Sequence, residues 1–244
     1  MMIPGRTIEL VPQAQLAYTA RYSPAAGSIK VGPFNTARSY DKFLASTIGA
    51  GDPLFDTLDA VRFDSSSRLL AGLRVHVPSS SVSPPPWLSG GLPTKSAAAL
   101  PRLLRGARLE IADCTCAWID DVAGTLVLFS DSPSSPISSF SVTKELDLLL
   151  DGAGFHAWLL REPARYLVTG WEDAEPYTES PGLAEALRDY TRLFDAEFIE
   201  KLEDGDHSAL QRLLKLKDRV DLIPGSPQQA ALSTAVANVL ETYR

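Results

Sequence analysis

The chain has 244 residues, 45% of them hydrophobic and 22% charged, values close to the averages of folded proteins, which exclude a disordered chain and call for a sizeable core. With 23 Lys and Arg against 30 Asp and Glu, the net charge is −7. That balance argues against nucleic acid or an anionic membrane as partner, since both need concentrated cations, and it favours encounter with a basic protein.

Thr7 to Val11 has strand character ended by Pro12, and Ala37, Tyr40, Phe43, Leu44 and Ile48 recur at helical spacing before Gly49. Segments 59–64 and 69–77 flank Ser65-Ser66-Ser67 and predict a hairpin. In its second arm Leu69, Ala71, Leu73, Val75 and Val77 form an apolar face, so Arg74 and His76 point the other way. Segment 78–96 is rich in Ser, Pro and Gly and contains Pro84-Pro85-Pro86-Trp87, which favours extended polyproline geometry. A connection this long in a compact domain is a mobile excursion or a functional lid.

Segment 108–120 predicts a strand whose apolar parity switches midway, with a bulge near Ala112-Asp113. Residues 125–129 are apolar on both faces and predict an interior strand. After a second Ser/Pro segment, 130–141, come strands over 144–150 and 155–160 joined by a Gly-rich turn. Residues 171–181 form an acidic, irregular junction. Leu183, Leu187, Tyr190, Phe194, Phe198 and Leu202 then predict one amphipathic helix of about six turns. Asp206 starts a second helix. Ser226 as N-cap, Pro227 at the first helical position and Gln229 as a capping-box partner start a third.

These elements predict an α+β fold: a largely antiparallel sheet or half-barrel over 1–180 with one early helix, and a three-helix segment over 181–244 packed on one face in a continuous core. No secretory leader pattern occurs near Met1 and no run approaches about 20 apolar residues, so the expected location is the cytoplasm.

No phosphate loop, nucleophile elbow, metalloprotease helix or dinucleotide fingerprint occurs in the sequence. Cys114 and Cys116 would share one strand face and read as small buried apolar groups, leaving no metal or cofactor expected. Arg102, Arg105 and Arg108 would make a positive stripe if helical, but are expected to pair with nearby acids.

Two functions remain open. The first is a non-catalytic, cytosolic protein-binding factor of immunity, chaperone or accessory type. It would recognise a basic protein through Trp171, Glu172, Asp173, Glu175 and Tyr177, with acids steering encounter and aromatics anchoring it; Trp87, within the first Ser/Pro segment, is a further binding candidate. The alternative is a metabolic enzyme with an apolar pocket beneath segment 78–96, in which His76 acts as acid or base and Arg74 holds an anion.

Overall fold

The computed structural model describes residues 8–50, 59–78, 84–88, 91–92, 96–105, 114–121, 124–130, 133, 137–151, 155–177 and 180–243. The first strands are β1 (Ile8–Pro12), β2 (Arg21–Ser23), β3 (Ser28–Val31), β4 (Thr47–Ala50), β5 (Ala60–Asp64) and β6 (Leu70–His76). They are followed by β7 (Ala97–Leu103), β8 (Cys116–Ile119), β9 (Thr125–Phe129), β10 (Ser138–Ser141), β11 (Leu146–Leu150) and β12 (Phe155–Arg161). The helices are α1 (Ala37–Ser46), α2 (Pro181–Leu193), α3 (Ala196–Glu203), α4 (His207–Asp221) and α5 (Pro227–Thr242). This is an α+β fold, and no described helix is long and apolar enough to cross a membrane.

The strands form two sheets, of order β1-β7-β10-β11-β12-β9-β8 and β2-β3-β6-β5-β4. Every pairing between described strands is antiparallel except β7 with β10. The β5–β6 hairpin forms where the sequence predicts it. Asp64 accepts from the backbone N–H of Ser66 and Ser67, and Arg68 adopts φ 60° to turn the chain. A register shift at Arg62/Phe63 puts Leu70 rather than Ala71 opposite Phe63. The bulge corrects the simple odd-numbered stripe: Leu70, Leu73 and Val75 are buried, Ala71 only half-buried.

One buried cluster unites the inner faces of both sheets with the helices. Tyr22, Ile29, Val61, Leu73 and Val75 contribute from the smaller sheet, Leu126, Leu128, Leu148, Trp158 and Leu160 from the larger, and Leu183, Leu187, Leu213, Leu232 and Val236 from the helices. Each such side chain contributes about 1.5–3 kcal/mol by leaving water. The other face of the larger sheet carries a second, smaller cluster of Val127, Phe129, Leu149, Ala157 and Leu159 beneath Leu88. It is covered by the 3-10 turn Pro86–Leu88.

Several expectations are corrected. The single long helix divides into α2 and α3 because Asp195 leaves the helical conformation and its carboxylate caps the Phe198 N–H at 2.8 Å, so residues 181–243 hold four helices rather than three. Ile48 belongs to β4, not to α1. Segment 130–141 contains β10, which the Ser/Pro composition hid. Arg102 lies in β7 opposite Glu9 and pairs with it at 2.9 Å, so the three-arginine helical stripe does not form; Arg108 and the expected bulge at Ala112-Asp113 lie outside the described residues. Ser226 caps α5 by accepting from the Gln229 N–H at 3.0 Å, but the Gln229 amide donates to the Val220 carbonyl instead of closing a capping box.

Candidate functional site

The outer face of the smaller sheet is built around a row of cations. Arg21 on β2 pairs with Lys30 on β3, and Lys30 with Arg74 on β6, so all three project to one side. Helix α1 lays Tyr40 and Phe43 over this face beside Phe34, and segment 171–177 closes it. The Trp171 ring lies 5.0 Å from Tyr40 and 6.2 Å from Phe34, centroid to centroid. Lys30 Nζ stands 4.3 Å above the Trp171 ring and the Arg74 guanidinium 5.9 Å from it.

The same cations hold the backbone of the segment. Lys30 donates to the Gly170 carbonyl at 2.9 Å, and Arg21 donates to the carbonyls of Phe34, Gly32 and Trp171. Arg21 also meets Asp173 at 3.4 Å. Burial pushes the Arg21 guanidinium below its ordinary pKa, offset in part by Asp173 and Glu172. Burial alone would raise the Glu172 carboxyl. Backbone N–H donors of Glu172, Gly170 and Thr169, with the charge of Lys30, instead hold it below the usual carboxylate range. Further along, the Gln228 amide donates to the Glu175 carbonyl at 2.8 Å, the Tyr177 hydroxyl accepts from the Ser180 N–H at 3.0 Å, and Arg165 sits 5.4 Å from the Tyr177 ring.

The predicted site residues therefore take different roles. Trp171 and Tyr177 are half-buried internal anchors, while Glu172, Asp173 and Glu175 are exposed, the Asp173 side chain at 79%. Arg74 is joined to Trp171. His76 ends β6 with an exposed side chain beside Gly27, and its backbone N–H donates to Asp59 at 2.6 Å.

Trp87 belongs to the far side of the larger sheet. Its ring is half-buried, 6.1 Å from Phe129 and 5.0 Å from His156, edge to face. The structure thus joins Trp87 to His156 and Arg74 to Trp171, rather than gathering Arg74, His76 and Trp87 around one pocket. Burial lowers the His156 pKa, offset partly by Asp151, and among the described residues His156 Nε2 and Trp87 Nε1 are buried without a hydrogen-bond partner. The rest of segment 78–96 lies largely outside the described residues.

The cysteines do not share a face. Cys114 packs into the main core and Cys116 against the second cluster, because β8 begins only at Cys116 and strand alternation does not extend back to Cys114. Among the described residues, no three His, Cys, Asp or Glu side chains converge as a metal site.

A groove of about 500 Å³ that no sequence motif marks lies between α2 and α4, lined by Arg192, Arg212, Lys215 and Arg219, with Asp189 as its acid. Its sequence signal is the spacing of Arg212, Lys215 and Arg219, which puts three cations on one helical face. Comparison with family models, curated proteins and solved structures finds no match for this chain. Function must therefore be inferred from the chemistry of these surfaces.

Proposed function

We propose that this chain is a non-catalytic protein-binding factor of immunity, chaperone or accessory type, working in the cytoplasm and recognising a basic protein through the acidic ridge 171–177. The observation that carries this is the fixing of an irregular, acid-bearing segment by interior cations. Arg21 and Lys30 hold its carbonyls, Trp171 is clamped between Lys30 and Tyr40, and Asp173 and Glu175 are left facing water. A ridge already ordered in the free protein loses little entropy when a partner binds. Its acids, in a chain of net charge −7, steer a basic partner toward it.

The test is affinity capture from the source cells, identification of a stoichiometric partner, and titration of the purified pair. The double variant Asp173→Asn/Glu175→Lys should keep its circular dichroism spectrum and weaken binding at least about tenfold, with a shallower salt dependence. A partner held equally well by the variant, or no stoichiometric partner, removes this function.

A further inference from the structure

We infer that the groove between α2 and α4 is a binding site for a small anion carrying two or three linked phosphate groups. The site lies on a different surface from the acidic ridge and does not depend on it.

The placement of the charges points to a ligand. Arg192 and Arg219 stand in the last turns of α2 and α4, where a cation complements the helix dipole, and each is ion-paired, with Asp121 and Asp189 respectively. Structure alone accounts for those two. Arg212 and Lys215 are different. Both lie well before the last turn of α4, beyond reach of its dipole, and neither forms an ion pair with a described carboxylate. Arg212 is held by its stack on Phe198, 5.0 Å from the ring. The nearby carboxylate of Glu197 feels the Arg212 charge but is committed to Lys201 at 2.5 Å. Two unneutralised cations thus flank a groove whose rim already carries two more, in a protein whose acids outnumber its bases.

The geometry limits the ligand. From Arg212 to Arg219 the helix advances about 10 Å, at about 1.5 Å per residue, so the cations form a short line rather than a broad patch. A line of that length matches a chain of two or three phosphates, whose oxygens accept paired N–H donors from Arg forks. The volume of about 500 Å³ suits a small molecule. Leu193 and Leu216, both buried, form the apolar floor of the groove, so only their edges can meet a ring attached to the phosphates.

Calorimetric titration of the full chain with inorganic triphosphate and, separately, with ATP tests this. Both should bind, more tightly at low ionic strength than at about 0.15 M, and Arg212→Gln/Lys215→Gln should weaken binding at least about tenfold without lowering the melting temperature of the free protein. Equal affinity for the two ligands assigns recognition to the phosphate chain alone, and tighter binding of ATP adds the apolar flank. Binding of neither, undiminished binding by the double variant, or tighter binding of a polyglutamate peptide than of triphosphate overturns the proposal.

Discussion

Lys30 places its ammonium 4.3 Å from the centre of the Trp171 ring while donating to the Gly170 carbonyl at 2.9 Å, so one cation grips both the side chain and the backbone of the same segment. Lys30 is almost wholly buried, at 2% exposure. A buried ammonium without such partners is costly, and the ridge is therefore as necessary to the sheet as the sheet is to the ridge. Trp171→Ala should lower the unfolding free energy by about 2–4 kcal/mol and speed amide exchange over 169–175. Urea denaturation and hydrogen exchange measure the two effects, and an unchanged midpoint would show that the docking contributes nothing.

His156 makes stability depend on acid. Its folded pKa lies below the ordinary value because burial disfavours the imidazolium, so the unfolded chain takes up a proton that the folded one refuses. Its contribution is complete above the unfolded value of about 6.5 and is lost progressively as pH falls through and below it. His156→Phe keeps an aromatic partner for Trp87 and removes an unsatisfied buried nitrogen. The variant should be at least as stable at neutral pH and should lose the part of the acid sensitivity that His156 supplies, as read from melting temperatures across that range.

Gly49 has φ 141°, and a Cβ there would come within 2.2 Å of the Val61 carbonyl oxygen. Gly49→Ala should destabilise by about 3 kcal/mol or more and loosen the β4–β5 pairing. Thermal unfolding gives the magnitude, and amide exchange in β5 shows whether the damage is confined to that edge.

Ser226 accepts from the Gln229 N–H without a reciprocal side-chain bond, so the cap is worth one hydrogen bond. Ser226→Ala should cost about 1 kcal/mol, and Gln229→Ala should cost an additional amount through the lost contact to Val220 rather than through the cap. A double-mutant cycle with near-additive effects would support that separation.

The elements legible in the sequence are those whose local chemistry agrees with their final packing. The hairpin at Asp64-Ser65-Ser66-Ser67 carries its own turn signal, and Ser226 and Asp206 mark helix starts that the structure keeps. β2 and β3 escape a sequence reading because three and four residues are too few to show a repeat, and the burial of Arg21 and Lys30 makes sense only once Trp171 and Phe34 are in place. The break between α2 and α3 was invisible because Phe194 and Phe198 continue one apolar stripe through it, while Asp195 acts as a cap inside that stripe. Of the candidate site, the acidic ridge was visible as composition. Its anchoring was not, since that depends on partners from three distant strands.

The N-terminal segment completes its polar bonds with residues far along the chain. Gln15 bonds Ser141 across 126 positions, the Ala20 N–H bonds Glu145 across 125, and Arg21 reaches Asp173 across 152. During synthesis the β2–β3 hairpin therefore leaves the ribosome long before the groups that satisfy it, carrying a guanidinium and an ammonium that cannot yet be buried without penalty. A chain interrupted before residue 171 would hold every described strand of both sheets and still lack the segment that lets Arg21 and Lys30 leave water.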